Sequence, residues 1–204
     1  MARRGDRLRE HILWTAKDVF LELGFERTSM DVLAARAETS KRTLYAHFDN
    51  KDTLFLAVVG FIRGLHLARL RTPEEYGDDR IEAVTRYCVR FLQSLVWIQS
   101  VRTCRLVVAE AARVPQAAAD YYDALFGTTR RNLAAYLGAE WSLPDAEAFA
   151  AVDDILGRAV YPRFTAVLFG VAEAPAEWPD DLPGPTDPDY RRIHRIVTAT
   201  LDAG

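Results

Sequence analysis

The sequence predicts an all-α protein. Apolar residues recur at spacings of three and four through most of the 204 residues, as they do along the buried face of a helix. No run of alternating apolar and polar residues predicts a strand, and the chain contains no internal repeat. Half of the residues are apolar, which is enough for one large domain or for a small domain and a larger one.

The first predicted helix covers residues near 6–23. Gly24 is expected to end it, because glycine accepts the positive φ that often closes a helix. The apolar face repeats at spacings of three and four through Leu8, Ile12, Ala16, Val19, Phe20 and Leu23.

Two short helices joined by a tight turn are predicted within residues 29–51. Thr28 or Ser29 can cap the first, because a side-chain oxygen can accept a hydrogen bond from a free N–H at a helix start. Thr39 or Ser40 can cap the second in the same way.

The second short helix carries polar or aromatic side chains on its outer face. Leu44 and Phe48 are four residues apart and are expected to pack inward. Lys51 follows at the start of the next helix, where a cation can reach a phosphate. A short helix of hydrogen-bond donors held out from an apolar support is suited to the DNA major groove. The outward-facing residues are Ser40, Lys41, Arg42, Thr43, Tyr45 and His47.

Six further helices complete the prediction. Asn50 is expected to cap a long fourth helix over residues 50–70, and a connector follows at 72–79. Pro162 predicts a kink or a break in its helix, because proline has no amide N–H. Residues 172–189 hold five of the nine prolines and six acidic residues, so they predict a loop, and their composition favours mobility. The remaining helices lie near 79–97, 99–113, 115–138, 144–171 and 188–202, which makes about nine in total.

We expect two domains. Residues 1–51 form a three-helix, helix-turn-helix DNA-binding domain, and residues 52–204 form a larger helical bundle, with helix 50–70 connecting them. The first segment carries a net charge of +2 and the second −5. The excess of +2 is small, so the positions of the positive charges are better evidence for DNA binding than their number. Positive charge lies on the second short helix, which is the one suited to the major groove, and on an N-terminal tail at Arg3, Arg4, Arg7 and Arg9. The alternative for these four arginines is a solvated tail that makes no contact with DNA.

The composition disfavours secretion and membrane insertion. Cys88 and Cys104 lie far apart and form no CxxC motif, so we expect reduced, buried thiols, with a redox-sensing pair as the alternative. No stretch of 18 apolar residues is present, and the charged N-terminus lacks an apolar signal region. The sequence therefore predicts a cytoplasmic protein.

Enzyme chemistry is not expected. The four histidines are scattered without metal-ligand spacing, and the chain has no GxSxG, P-loop or GxGxxG motif. We therefore expect no catalytic residue, no metal and no cofactor. An enzyme that uses an aromatic cavity remains the least favoured alternative.

Residues 12–56 resemble the DNA-binding domain of TetR-family transcriptional regulators. The matching segments are ILWTAKDVFLELGFERTSM, DVLAARA and TSKRTLYAHFDNKDTLF. Residues 102–137 resemble, more loosely, the AefR-like C-terminal domains of one subgroup. The resemblance implies a homodimeric DNA-binding protein, usually a repressor, that a small-molecule effector releases from its operator. Two recognition helices in a dimer would require a near-palindromic operator.

The same resemblance assigns the DNA-contacting residues. Thr28, at the start of the second helix, is expected to touch a backbone phosphate, and Lys51 is expected to anchor the fourth helix to the operator backbone. The residues between them are expected to approach bases or phosphates. The alternative is that none of these residues contacts DNA, the aromatic ones being core residues and the charged ones a solvated helix face. We adopt this alternative for Phe48, which we expect to be a core residue. The assigned set is Thr28, Ser40, Lys41, Arg42, Thr43, Tyr45, His47 and Lys51.

Two residues depart from the family pattern. Glu38 stands in the turn where the family commonly has glycine, and a positive φ at a non-glycine residue costs about 1 kcal/mol or more. Either the turn avoids positive φ or the chain tolerates this strain. Arg42 replaces another frequent glycine and could pair bidentately with guanine, worth about 1–3 kcal/mol of discrimination.

The aromatic residues of the larger domain predict an effector pocket, because enclosing a cavity requires large side chains with a few polar tips. Each candidate could instead be an ordinary core residue. Arg105 lies in an otherwise apolar run and either meets an acidic effector or pairs with Glu110 or Asp123, and the internal pair is favoured. The candidates are Trp97, Arg105, Tyr121, Tyr122, Phe126 and Phe164.

A dimer interface is predicted on helices 144–171 and 188–202, each of which is apolar along one side. In the family these two helices form a four-helix interface. Burial within one chain is the alternative. The interface candidates are Ala148, Ala151, Ile155, Ala159, Ile193, Ile196, Val197 and Leu201.

At the level of function, the other alternative is an architectural DNA-binding protein that has no effector.

Overall fold

The computed structural model describes residues 4–67 and 69–202, and over these ranges it contains helices and no strand. The predicted all-α class is confirmed. A π-helical segment, Asp123–Gly127, joins α7 to α8, so the ten α-helices of the described residues form nine separate helical rods. The α-helices are α1 (Arg4–Arg27), α2 (Met30–Arg36), α3 (Lys41–His47), α4 (Lys51–Leu67), α5 (Arg80–Val96), α6 (Ile98–Ala109), α7 (Pro115–Tyr122), α8 (Thr128–Trp141), α9 (Asp145–Leu168) and α10 (Pro188–Leu201).

The chain divides into two compact units. The first comprises the described residues up to Leu65 together with Arg102–Tyr122, and the second comprises His66–Val101 together with the described residues from Asp123 onward. This division follows packing and not function. The predicted functional boundary after residue 51 therefore stays a prediction.

Three phenylalanine rings form the centre of the first unit. The Phe55 ring lies edge-on to those of Phe20 and Phe25, at centroid distances of 5.3 and 5.2 Å. Leu33 of α2 and Leu44 of α3 are fully buried in the same unit. Helices α2 and α3 have seven residues each and are too short to be stable alone, so this core supplies their stability.

The ends of the first four helices follow the predicted signals. Gly24 has φ 76° and ψ 170°, which breaks the straight course of α1 three residues before its end. Ser29 caps α2 and Ser40 caps α3, each accepting a hydrogen bond from the N–H three residues further on, at 3.2 and 3.0 Å. The Asn50 side chain does the same at the start of α4, at 2.8 Å. The structure thus selects Ser29 over Thr28 and Ser40 over Thr39.

Helix α5 forms the centre of the second unit, in which it contacts α8, α9 and α10. Its side chains Tyr87, Phe91, Leu92 and Leu95 are all at most 1% exposed. The connector that precedes it contains a 3₁₀ helix, Pro73–Tyr76, that the sequence analysis did not predict. The helix predicted at 115–138 is continuous but includes the π-helical segment between α7 and α8.

Helix α9 continues through Pro162, so of the predicted kink or break the break does not occur. Proline lacks the N–H that would bond to the carbonyl four residues earlier, which is that of Arg158. The Arg192 guanidinium of α10 replaces the missing donor, at 3.1 Å from the Arg158 oxygen and 2.8 Å from that of Ala159. A side chain from a neighbouring helix therefore satisfies the backbone that proline leaves without a partner.

Residues 172–187 form the predicted loop, but the loop is held in place. Arg90, itself only 5% exposed, donates to the carbonyl oxygens of Pro179 and Asp181, both at 2.5 Å. The Trp97 indole N–H donates to the Ala176 carbonyl at 3.1 Å. These contacts fix the path of a segment whose composition predicted mobility.

Candidate nucleic-acid interface

Helix α3 turns a polar face to solvent. Lys41, Arg42 and Tyr45 are exposed, and Tyr45 keeps 49% of its surface accessible although it is a large aromatic residue. On the opposite side Leu44 and Phe48 are 0% and 4% exposed. The division into a polar outer face and an apolar support is the one that the sequence predicts.

The first turn of α3 is fixed by Ser40. Its hydroxyl accepts from the Thr43 N–H and lies 2.8 Å from the Thr43 hydroxyl. Thr43 and His47 are half-buried, so they border the exposed face rather than occupy its centre.

Lys41 and Arg42 differ in their surroundings. Lys41 forms an ion pair with Asp31 at 2.6 Å, and both side chains are about 60% exposed. Such an exposed pair contributes about 0–1 kcal/mol, so a phosphate can compete for this ammonium group. The Arg42 side chain makes no ion pair or hydrogen bond with the part of the chain that the structure describes.

Thr28 does not belong to this exposed face. Its side chain is 1% exposed, and its hydroxyl donates to the Gly24 carbonyl at 2.7 Å. The predicted phosphate contact of Thr28 stays a prediction, beside a structural role for its hydroxyl. The hydroxyl is used to close the end of α1, a backbone requirement that a motif comparison does not reveal.

Lys51 is half-buried and holds two backbone carbonyls. Its ammonium group donates to the oxygens of Phe25 and Thr28, each at 2.9 Å, and lies 4.1 Å from the centre of the Phe25 ring. An ammonium group has three N–H donors, so one remains for a phosphate. The predicted anchoring role stays a prediction, beside a structural role that sequence reasoning missed.

The turn between α2 and α3 does use a positive φ. Glu38 has φ 48°, and the flanking backbone bonds run from Glu38 N–H to Ala35 and from Thr39 N–H to Ala34, at 3.2 and 2.9 Å. Of the two alternatives, the chain therefore tolerates the strain, at a cost of about 1–2 kcal/mol. The Glu38 side chain is exposed beside the polar face of α3.

Arg4, Arg7 and Arg9 lie in helix α1 and not in a tail. Arg7 and Arg9 belong to α1, which begins at Arg4, and Arg9 lies over the Phe48 ring at 5.2 Å. Arg3 lies outside the described residues. Positive charge is thus presented by an ordered helix whose Arg9 is packed against the end of α3.

The second unit brings two of the predicted pocket residues together. Phe126 lies 6.0 Å from Phe91 and 6.1 Å from Phe164, as measured between ring centres. Trp97 instead pairs with Trp178 at 5.8 Å, beneath the guanidinium of Arg69. Sequence reasoning missed Trp178, whose only signal is one large aromatic residue within an acidic, proline-rich loop.

The other three pocket candidates belong to the first unit. Tyr121 is buried, and this burial raises the pKa of its hydroxyl. Tyr122 is 65% exposed, and its predicted place in a pocket stays a prediction. Arg105 is exposed as well, and Glu110, one of its predicted partners, pairs with Arg113 at 3.1 Å.

The predicted dimer residues are largely covered by their own chain. Ala151 is half-buried, and the others are at most 9% exposed. The stripes of α9 and α10 contact each other and α5, which agrees with the alternative of burial within one chain. The predicted interface role of these residues stays a prediction. On α9, Tyr161 keeps 69% of its surface exposed. The covered positions are Ala148, Ile155, Ala159, Ile193, Ile196, Val197 and Leu201.

Cys88 is buried, and this burial raises the pKa of its thiol to about 12, which keeps it protonated. Over residues 4–67 and 69–202 no group of three or more His, Cys, Asp or Glu side chains could hold a metal ion. Within the same ranges no helix combines the length and apolarity that crossing a bilayer requires.

Two protein-family models match the chain. Residues 12–58 match the bacterial regulatory proteins of the tetR family, and residues 82–143 match the C-terminal domain of AefR-like transcriptional repressors. Together the two matches cover just over half of the chain.

Curated relatives are similar over shorter stretches. The HTH-type transcriptional activator FasR of Mycolicibacterium smegmatis is 44% identical over 62 residues, which is 28% of each chain. The HTH-type transcriptional regulator QacR of Staphylococcus aureus is 30% identical over 78 residues, 38% of each chain. UidR of Escherichia coli is 31% identical over 115 residues, 54% of this chain and 55% of UidR. The chain thus spans from about a quarter to about half of the length of these relatives.

Solved structures share the fold along almost the whole chain. A TetR-family transcriptional regulator from Mesorhizobium loti has a TM-score of 0.73 at 20% identity, over 99% of this chain and 96% of its own. The flavonoid-responsive regulator FrrA has a TM-score of 0.72 at 24% identity, over 97% and 95%. Salmonella enterica GusR has a TM-score of 0.60 at 20% identity, over 96% of each chain.

Proposed function

The chain belongs to the tetR family of bacterial regulatory proteins, and from this we propose that it is a transcriptional regulator that inserts α3 into the DNA major groove. The polar face of α3 carries the proposal. Lys41, Arg42 and Tyr45 are exposed together, while buried Leu44 and Phe48 fix the helix beneath them. Side chains with donors on a short, rigidly supported helix are what base-edge and phosphate contacts require.

We propose that the protein acts as a homodimer on a near-palindromic operator in the cytoplasm. Two copies of α3 would then lie about 34–36 Å apart, one turn of the DNA helix. Residues 1–51 would contact the operator, and residues 52–204 would bind the effector and the partner chain. Because the apolar stripes of α9 and α10 are covered, exposed residues such as Tyr161 would have to supply part of the dimer contact. Light scattering at micromolar concentration tests this state, and a monomer would refute it.

We further propose that a small, largely apolar or aromatic effector releases the protein from DNA, which would make it a repressor. The support is the cluster of Phe91, Phe126 and Phe164 in the second unit. FrrA, which is described as flavonoid-responsive, supports the fold only, at 24% identity. A tenfold loss of operator affinity requires about 1.4 kcal/mol of differential effector binding.

Fluorescence anisotropy on duplex DNA from the region upstream of the gene tests the DNA-binding function. A scrambled duplex of the same length and a salt titration serve as controls, because backbone contacts alone depend steeply on salt. We expect upstream DNA to bind at least about 10³-fold more tightly than scrambled DNA. Equal, weak binding to both, and to genome-selected fragments, would favour an architectural protein over an operator-specific regulator.

A further inference from the structure

A groove in the first unit lies between the end of α1 and helix α6. It has a volume of about 420 Å³ and is lined by residues from 20–27 and from 102–110. The backbone break at Gly24 borders it, and a Cβ added at this glycine would meet nothing within 4 Å. We name it the α1–α6 groove. Its volume lies within the range of about 300–1,000 Å³ typical of small-molecule sites.

The floor of the α1–α6 groove is apolar. Leu23 and Leu106, both half-buried, give it accessible aliphatic surface. The parallel rings of Phe20 and Phe25, 5.9 Å apart, border the groove but are at most 2% exposed, so they form a firm base and not an open surface. Such a floor favours a ligand with an apolar body over a bare phosphate or a nucleic-acid backbone.

The rim of the groove carries an excess of positive charge. Its two carboxylates, Glu26 and Glu110, are both paired with Arg113. Arg102 forms no ion pair or hydrogen bond with the part of the chain that the structure describes. The other guanidinium groups on the rim are those of Arg27 and Arg105, both exposed.

We propose that the α1–α6 groove binds a small organic anion with an apolar body, such as an aromatic carboxylate. Arg102 and Arg105 hold the carboxylate, because guanidinium groups match its two oxygens in geometry and charge. The apolar part of the ligand lies over Leu23 and Leu106. This site is separate from the predicted pocket around Phe126 and Phe164.

The segment that borders the groove is directly followed in the chain by the helix-turn-helix. The segment that borders it ends at Arg27, and the next two residues are Thr28, whose hydroxyl holds the Gly24 carbonyl, and Ser29, which caps α2. A ligand that fixes this segment therefore also fixes the start of the helix-turn-helix. This regulatory consequence rests on the proposed DNA-binding function, whereas binding of the anion does not.

The test measures binding of 1-naphthoate to the full chain by isothermal titration calorimetry. Two variants remove the site by different means: the double substitution Arg102→Gln and Arg105→Gln removes the charge, and Ala109→Trp fills the exposed end of the groove. Arg191→Gln, an exposed position on α10, is the matched control for lost charge. The neutral amide 1-naphthamide tests whether the ligand must be an anion, and circular dichroism verifies that each variant is folded.

We expect naphthoate binding to weaken at least about tenfold in the double variant, as for the loss of a charge-assisted hydrogen bond. It should be lost in Ala109→Trp and unchanged in Arg191→Gln, and naphthamide should bind at least about tenfold more weakly. Undiminished binding in both groove variants would place the site elsewhere and overturn the proposal, as would no binding to the unmodified chain at low millimolar concentration. Operator affinity is measured separately, so a chain that binds naphthoate in the groove but no operator would refute only the proposed function.

Discussion

The ammonium group of Lys51 donates to the main-chain carbonyl oxygen of Thr28 at 2.9 Å. Because the same group also holds the carbonyl of Phe25, the start of α4 is tied to the end of α1. Ser29, which caps α2, is the next residue in the chain. One side chain thus connects three elements on which the position of α3 depends.

Substituting Lys51→Met should destabilise the protein by about 1–3 kcal/mol, because it keeps the aliphatic stem but leaves two partly buried carbonyls without their donor. Urea unfolding measures this change. If the third N–H also contacts a phosphate, the slope of log K against log salt should fall in magnitude by about 0.9. Arg63→Met, at an exposed position of the same helix, is the control. Unaltered stability in Lys51→Met would show that the two carbonyl bonds contribute nothing.

Arg42→Ala should weaken operator binding by about 1–3 kcal/mol and relax the preference at one base pair. Lys41→Ala should weaken binding to all sequences alike, because an ammonium group paired with phosphate reads no base. Anisotropy on a set of single-base operator variants separates the two effects, with Arg191→Ala as the distant control. An Arg42→Ala protein with unchanged base preference would remove Arg42 from the direct readout.

Replacing Glu38 tests the strain in the turn. Asn and Gly both tolerate the φ of 48°, so Glu38→Asn should stabilise the protein by up to about 1 kcal/mol. Glu38→Gly should gain less, because glycine loses more entropy on folding. Glu38→Ala keeps the strain and is the control for lost charge. Urea unfolding ranks the three, and an Ala variant as stable as the Asn variant would show that charge and not φ matters.

Arg192→Met should cost about 1–3 kcal/mol, because the Arg158 carbonyl beside Pro162 loses its donor. In a Pro162→Ala background the alanine N–H can supply that hydrogen bond, so the same substitution should cost less. A double-mutant cycle by urea unfolding measures the coupling, which we expect to exceed about 0.5 kcal/mol. Additive effects would mean that Arg192 acts through its other two partners, the Ala159 carbonyl at 2.8 Å and Asp189 at 3.2 Å.

Stability should fall between pH 6.5 and about 4 because of His66. Burial, and secondly the nearby charge of Arg69, lower the pKa of His66 from 6.5 to about 4. The folded state thus holds this imidazole neutral, and its contribution is complete above pH 6.5 and is lost as pH falls through that window, by at most about 3 kcal/mol. Unfolding free energies at several pH values should show a flatter profile for His66→Asn and an unchanged one for His11→Asn, an exposed control. Equal slopes in all three proteins would rule out His66 as the source.

Local features of the structure could be predicted from the sequence, because they depend on neighbours in the chain. Apolar spacing located the helices, and short polar residues located the caps at Ser29 and Ser40. The contacts of Lys51 and Arg192 could not be predicted, since they join residues more than 20 positions apart through backbone oxygens that have no sequence signature.

The sequence alone cannot decide which apolar surfaces meet a partner or a ligand, for a physical reason. An apolar stripe looks the same in sequence whether it faces its own chain or a partner, so Ile155 and Ile193 could be assigned to either. Aromatic residues are equally ambiguous, since Phe126 joins a ring cluster whereas Tyr122 lies in solvent. Only the three-dimensional packing separates these cases.

Arg90 and Trp97 hold the 172–187 loop in a way that leaves the amino-acid sequence of the loop free to vary. Both side chains bind main-chain oxygens, those of Ala176, Pro179 and Asp181, and every amino acid carries such an oxygen. Point mutations at these three positions can therefore alter the outward chemistry of the loop while its course is preserved. The loop is a place where new surface properties could arise in descendants of this protein without a cost to the folding of the bundle.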